Sequence, residues 1–384
     1  MSSRVAYLLG SLNRGGTETL LLDVIRNAKK NDLDAITIYR KSGALENDFL
    51  ESGMPVLCLS PGKNPIRYIL HLRKLLLKNK IELTHAQQPV DALYACIATY
   101  GTDIKCILSF HGYDFNEKGI SKLILRYIIK KTNLNIFVSE TQKRYYVDKY
   151  TLKATNQKVV YNGISFDKLD NAVTQPTTLS HRSSSIKLRE ELQLSHNTLL
   201  LGSVGNFNAV RSQITICRFL KLLNEYRIDF RFIFVGKRIE SNSELYDTCV
   251  DFCITNKLND KVTFLGVRDD VPTILTQLDA FIYSTDHDTF GIAVVEAMAV
   301  GIPVFVNDWG VMTEITEVGK YATLYKTKDE RDLLRYFLLF LHDKQAFQEK
   351  AKEASVYVRH KFSIEMHIHQ LKDLYSSLFN SHNL

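Results

Sequence analysis

The chain has 384 residues, of which 45% are hydrophobic and 24% charged, enough for two domains with sizeable cores and incompatible with wholesale disorder. No run approaches roughly 18 consecutive apolar residues, so the sequence predicts no transmembrane helix. The formal charge of +7 is uneven, with 25 Lys and Arg against 16 Asp and Glu in residues 1–170 and 24 against 26 in residues 171–384; the first half is therefore the one suited to an anionic partner, whether phosphate, nucleic acid or an acidic membrane surface.

The apolar run beginning at Val5 is too short for a signal-peptide core and reads as a first strand, Val5–Leu9, followed by a helix over Thr17–Lys30. Further strands are expected at Ala35–Tyr39, Val56–Leu59, Leu83–Ala86, Cys106–Phe110 and Asn135–Val138. The amphipathic stretch Ile66–Lys78 is opened by Asn64 as N-cap and Pro65 at the first helical position. Residues 171–187, rich in Ser, Thr and Pro, interrupt this pattern as a surface loop or linker. Strands at Leu199–Val204, Phe230–Val235, Lys261–Phe264, Ala280–Tyr283 and Pro303–Val306 then alternate with helices at Gln213–Tyr226 and Ile292–Ala299, and a helical tail follows from Lys328. Such alternation predicts an α/β fold of two doubly wound, Rossmann-like domains facing across a cleft. The expected division is 1–168, a linker at 169–187, 188–360, and a C-terminal helix over 361–384 returning to the N-terminal domain.

The six cysteines sit mostly in apolar runs and form no disulfide or zinc pattern, so a reducing cytosol is the expected compartment. Cys249 and Cys253, four apart, are expected to be buried thiols on one helix face.

Four segments carry candidate chemistry. Residues 10–18 (GSLNRGGTE) follow the first strand but have Gly16 where a phosphate-binding loop needs lysine, and they do not spell Gly-x-Gly-x-x-Gly. Gly15 and Gly16 still permit close backbone approach at a helix start, as they would in a plain strand-to-helix turn. His111, in SFHGYD, sits at a strand end where an imidazole can meet a phosphate or sugar hydroxyl; His85 has a similar setting. In VGNFNAVRSQ, Arg211 at the start of a helix suits a diphosphate. In TDHDTFGIAVVEAMAVGIPVFV, Asp288 in a loop and Glu296 inside the next helix are placed to flank the amides of Phe290, Gly291 and Ile292. Carboxylates beside anion-binding amides make sense if they accept from sugar hydroxyls, which points to a nucleotide-sugar. Asp286-His287-Asp288 also spells Asp-x-Asp, but no further oxygen ligands are evident, and no metal site is assigned.

Over nearly its full length the sequence resembles the retaining GT-B glycosyltransferases that use nucleotide-sugars, glycosyltransferase family 4 (glycosyl transferases group 1). The resemblance is carried, in order, by Gly15-Gly16-Thr17-Glu18, His111-Gly112, Asn162-Gly163-Ile164, Asp288 to Glu296, the run Glu-Ala-Met-Ala-x-Gly-x-Pro-Val at 296–304, and Gly310 with Glu314. It implies that Glu296 holds the donor ribose, that Asp288 lies at the donor sugar near Phe290–Ile292, and that Arg211 takes the diphosphate in place of the family's lysine. It further implies that Gly16 brings backbone to the phosphates, His111 approaches the transferred sugar, and Leu265 to Arg268 flank the base. Two positions depart from the family pattern: Asp288 replaces a glutamate, and Asn206 replaces an arginine whose task falls to Arg211 or to Lys237 in the next loop.

The implied activity is metal-independent, retaining transfer of a sugar from a UDP- or GDP-linked donor to a saccharide or lipid-linked acceptor, with no separate cofactor, in cell-surface polysaccharide assembly. Basic amphipathic stretches at Ile66–Lys78 and Ile120–Lys131 suit peripheral contact with the inner, cytoplasmic face of a membrane, and equally an ordinary solvated face. No nucleic-acid module is evident. The alternatives are another GT-B enzyme, an epimerase or phosphorylase, and a non-catalytic nucleotide-sugar or nucleic-acid binding protein.

Overall fold

A computed structural model describes residues 3–114, 119–174 and 188–380. The chain divides into two compact units, Met1–Ser165 with Phe362–Leu384, and Phe166–Lys361.

The first unit runs β1 (Val5–Leu9), α1 (Gly16–Arg26), β2 (Ala35–Tyr39), α2 (Glu46–Leu50), β3 (Val56–Cys58), α3 (Pro65–Lys78), β4 (Leu83–Ala86), α4 (Pro89–Ala98), β5 (Lys105–Phe110), α5 (Ile120–Lys131), β6 (Leu134–Phe137), α6 (Glu140–Tyr150) and β7 (Gln157–Val159). Its strands form a parallel sheet in the order β3-β2-β1-β4-β5-β6-β7. The period of two along β1 sorts its side chains into two cores. Val5, Tyr7 and Leu9 join the helix α1, whereas Ala6 and Leu8 join a cluster containing Leu72 of α3, Ala95 of α4 and Leu125 of α5. Asn64 caps α3 as its sequence predicts, its Oδ1 accepting from the amides of Ile66 and Arg67 at 3.0 and 3.1 Å. Helix α1 is shorter than the expected Thr17–Lys30. The Asn27 amide closes its last turn on Asp23, Lys29–Asn31 tighten into a 3₁₀ turn, and Asp32 turns the chain at φ 50°.

The second unit runs α7 (Asp167–Thr174), α8 (Leu188–Glu191), β8 (Leu199–Val204), α9 (Gln213–Glu225), β9 (Phe230–Val235), α10 (Ser243–Thr255), β10 (Val262–Gly266), α11 (Val271–Thr276), β11 (Ala280–Tyr283), α12 (Ile292–Val300), β12 (Val304–Asn307), α13 (Gly310–Ile315), β13 (Thr323–Tyr325), α14 (Glu330–His342) and α15 (Lys344–Lys361). Its parallel sheet has the order β10-β9-β8-β11-β12-β13. Cys249 and Cys253 of α10 are buried beside Cys217 in a phenylalanine-rich core. Of the expected linker, residues 169–174 belong to α7, which packs on α11 and α12, and residues 175–187 lie outside the described residues.

The last helix, α16 (Ile364–Asn380), belongs to the first unit and packs on α1. Gly163 makes room for it, since a Cβ there would lie 2.6 Å from the Cβ of His367 and 2.9 Å from the Cα of Ile364. In both sheets the strand order reverses beside the first strand of the unit, at β1/β4 and at β8/β11. Crossovers leave to opposite sides there, so the strand ends splay and open a crevice.

Candidate functional site

In the second unit the loop after β8 and the loop after β11 meet at the β8/β11 switch point. They are zipped together. Thr285 pairs with Arg211 in an antiparallel bridge, its Oγ1 donates to the carbonyl of Val210 at 2.7 Å, and the Asp286 amide donates to the same carbonyl at 2.9 Å. Asn307, fully buried at the end of β12, clamps Thr285 from the other side. Its Oδ1 accepts from the Thr285 amide and its Nδ2 donates to the Thr285 carbonyl, each at 2.8 Å. Arg211 sits in this bridge two residues before α9, just ahead of the N-cap Ser212 and next to the helix start that the sequence suggests.

This zipper aims the Arg211 side chain across the ring of Tyr283, with the guanidinium carbon 3.6 Å from the ring centroid. Nη2 donates to the Val204 carbonyl at 3.0 Å, and Nη1 lies 3.6 Å from Oδ2 of Asp288. The Tyr283 hydroxyl donates to the same carboxylate oxygen; burial holds its pKa well above the usual phenol value, so it acts as a neutral donor. The Arg211 side chain is only 6% exposed, and its buried Nε finds no partner among the described residues. The desolvated guanidinium is thus held by a ring face, a backbone carbonyl and one carboxylate at 3.6 Å.

Asp286 is directed elsewhere, to Lys328 Nζ at 2.9 Å, so the two carboxylates of the Asp-x-Asp stretch take different protein partners. Phe290 is buried, and Gly291 caps α12 in the left-handed region at φ 92°, where a Cβ would also press on Met312. Ile292 opens α12, whose first amides precede any intrahelical acceptor. Glu296, half-buried, stands one turn further along.

The remaining residues singled out from sequence play other parts. The Oδ1 of Asn206 accepts from the backbone amide of Lys237 at 2.8 Å, tying the β8 loop to the β9 loop, while the side chain of Lys237 is exposed. Gly205 and Gly236 allow that crossing, because a Cβ on either would collide with its neighbours. Arg268 is held by two carboxylates, Asp270 at 2.8 Å and Glu191 at 3.1 Å, which raise its pKa.

His111, Gly15 and Gly16 belong to the first unit, at the β1/β4 switch point and the neighbouring end of β5. Gly15 caps α1, with the Glu18 side chain folded back over it; burial raises the Glu18 pKa. A Cβ on Gly16 would meet nothing within 4 Å, so neither packing among the described residues nor a special φ requires glycine there. The Nε2 of His111 donates to Oε1 of Gln87 at 2.8 Å, and burial with the nearby His367 lowers its pKa to about 4. His111 is thus a neutral imidazole. It borders a cavity of about 20 Å³ shared with His85, His367 and Asn162. His85 is the centre of a buried chain that sequence reasoning missed: Nδ1 meets the Tyr375 hydroxyl at 2.6 Å, Nε2 meets Ser109 Oγ at 2.7 Å, and Tyr375 reaches the Tyr7 hydroxyl at 2.9 Å. Tyr283, Thr285 and Asn307 were likewise missed. Their only signal is a polar residue at or just past the end of an apolar strand.

Residues 14–168 match the family model described as Glycosyltransferase Family 4, and residues 184–360 match Glycosyl transferases group 1. The chain is 20% identical over 322 residues to the O-antigen biosynthesis glycosyltransferase WclY of Escherichia coli, covering 81% of this chain and 82% of that protein. It is 21% identical over 376 residues to a UDP-Gal:α-D-GlcNAc-diphosphoundecaprenol α-1,3-galactosyltransferase of E. coli, covering 94% and 93%. Among solved structures, Anabaena HepE in complex with UDP and glucose superposes with a TM-score of 0.80 at 20% identity, covering 98% of this chain and all of that one.

Proposed function

The chain belongs to the GT-B glycosyltransferases of family 4, and from that premise we propose that it moves a sugar from a UDP- or GDP-linked donor to a saccharide or lipid-linked acceptor, with retention and without a metal, in cell-surface polysaccharide assembly. The reading is supported by relatives that make O-antigen and by a structural neighbour that holds UDP. The observation that carries it is the buried Arg211, stacked on Tyr283 and half-neutralised by Asp288.

In this reading the diphosphate lies against Arg211 and the first amides of α12, which stabilise the charge that develops as the glycosidic bond breaks. Asp288 accepts from a donor-sugar hydroxyl, and Glu296 from the ribose hydroxyls. The acceptor hydroxyl attacks on the face from which the diphosphate departs and gives its proton to a donor phosphate oxygen, so no separate protein base is needed. Asn206 does not replace the missing cation; it holds the loop carrying Lys237, which supplies the second positive charge. The cytoplasmic face of the membrane, where lipid-linked acceptors are presented, is the proposed place of action.

The test is thermal shift and turnover with UDP-, GDP- and ADP-sugars. A donor present at about 100 times its Kd stabilises the folded state by about 2.7 kcal/mol. Glu296→Ala should weaken donor binding at least tenfold, and Arg211→Met should lower kcat by roughly a hundredfold or more. Near-wild-type transfer and donor hydrolysis in both variants would show that these residues do not hold the donor.

A further inference from the structure

Three neutral imidazoles, His85, His111 and His367, line the small cavity of the first unit, and what each one faces decides where its proton sits. His85 meets a hydroxyl at both ring nitrogens, Tyr375 at 2.6 Å and Ser109 at 2.7 Å. A hydroxyl donates or accepts as required, so neither tautomer of His85 is imposed. His367 turns Nδ1 to the backbone carbonyl of Tyr161 at 2.7 Å, which only accepts, so its proton is on Nδ1. His111 is fixed the opposite way. Its Nε2 lies 2.8 Å from Oε1 of Gln87, an oxygen that only accepts, so the proton is on Nε2 and the lone pair on Nδ1.

Gln87 is itself held in place. It stands directly after β4, and His111 directly after the neighbouring strand β5, with Ala86 and Leu108 level in the parallel register. Its backbone amide donates to the Leu8 carbonyl at 3.1 Å. Its side-chain nitrogen donates to the His85 carbonyl at 3.4 Å, so turning the amide over would set oxygen against oxygen there and nitrogen against a ring N–H at His111. Gln87 and His111 both border a groove of about 840 Å³ at the end of β5. A ligand entering that groove meets an imidazole whose proton is already placed. The sequence leaves phosphate and sugar hydroxyl open as partners of His111. In this tautomer the Nε2 proton is committed to Gln87, and Nδ1 accepts from a hydroxyl but has no proton to give a phosphate oxygen.

We propose that Gln87 is a positioning residue: it holds the His111 proton on Nε2, so that Nδ1 receives a hydroxyl of the transferred sugar and the imidazole gives nothing to the diphosphate. The inference rests on the transferase reading above, in which His111 stands at the transferred sugar, and it adds a residue that lies outside the motifs carrying that reading.

The test uses the full chain with isotope-labelled histidine. Long-range proton–nitrogen correlation spectra tell a protonated ring nitrogen from a bare one, and His111→Asn identifies the His111 signals by their loss. In wild type the His111 proton should be on Nε2. Gln87→Leu and, as a second apolar replacement, Gln87→Met should release it in part or whole to Nδ1, whereas Gln87→Glu keeps an acceptor and should keep the Nε2 proton. A proton on Nδ1 in wild type, apolar variants with the wild-type spectrum, or loss of the Nε2 proton in Gln87→Glu as well overturns the proposal. On the same preparations, calorimetric titration compares the nucleotide-sugar giving the largest thermal shift in the panel above with its parent nucleoside diphosphate. The apolar variants should bind the nucleotide-sugar about threefold to tenfold more weakly, the worth of one neutral hydrogen bond, and the nucleoside diphosphate unchanged to within about twofold. Equal weakening of both ligands overturns the assignment of Nδ1 to a sugar hydroxyl. A wild type that binds no nucleotide-sugar counts against the transferase reading, and the spectra still decide whether Gln87 sets the proton.

Discussion

Lowering the pH from 7.5 to 5.0 should destabilise the first unit through its buried histidines. His367 is buried, its Nδ1 donating to the Tyr161 carbonyl at 2.7 Å, and burial lowers its pKa from 6.5 to about 4. His111 is lowered to about 4 and His85 well below its usual value, both by burial and by neighbouring imidazoles. Each ring is neutral in the folded state and charges more readily in the unfolded one. The contribution to stability is therefore complete above the unfolded value near 6.5 and is lost as the pH falls toward the folded value near 4. Between pH 7.5 and 5.0, His367 alone costs about 2 kcal/mol. His111, half-buried, adds a smaller amount in the same direction. This is a large share of a typical stability of about 5–15 kcal/mol. Asp91 and Glu18, whose pKa values burial raises, act with the opposite sign as the pH falls. The single tryptophan, Trp309, reports on the second unit, so hydrogen exchange at β1 and β4 amides is the suitable assay. Wild type should lose about 2 kcal/mol or more of protection over this window, and His367→Gln should flatten the dependence by about 2 kcal/mol. Protection that stays constant to within about 0.5 kcal/mol, or a variant as pH-sensitive as wild type, would refute the reasoning.

Tyr375→Phe removes the hydroxyl that joins His85 to Tyr7, leaving two buried polar groups without that partner; it should cost about 1–3 kcal/mol in denaturant unfolding, and a change under about 0.5 kcal/mol would mean that the chain is dispensable. Gly163→Ala should cost about 1–3 kcal/mol by pressing on His367 and Ile364 of α16, read as a lower melting temperature; an unchanged melting temperature would show that α16 shifts freely.

Much of the fold is written in the sequence because parallel strands buried on both faces are short, nearly continuous apolar runs. Val5–Leu9, Leu83–Ala86, Leu199–Val204 and Ala280–Tyr283 were legible to the residue. The start of α3 was equally legible, since Asn64 and Pro65 act through their own backbone neighbours. The short β7 and β13 were not, since QKV and TLY are each broken by a polar residue and stand in no apolar run. In the candidate site, Arg211, Asp288 and Glu296 could be singled out by type and position, but what holds Arg211 in place could not. A helix start is a local property, whereas its antiparallel bridge to Thr285 depends on a segment more than seventy residues away.

What the chain determines by itself is local: which segments are strands and helices, where they cap, and which half is basic. The tertiary structure alone decides which strand ends become neighbours. By placing β4 beside β1 and β11 beside β8, the crossovers bring His85 to Tyr375 across 290 positions and Arg211 to Tyr283. Hydrogen bonds and ring stacking act over a few ångströms of space, and separation along the chain carries no information about such distances until the sheet order is set.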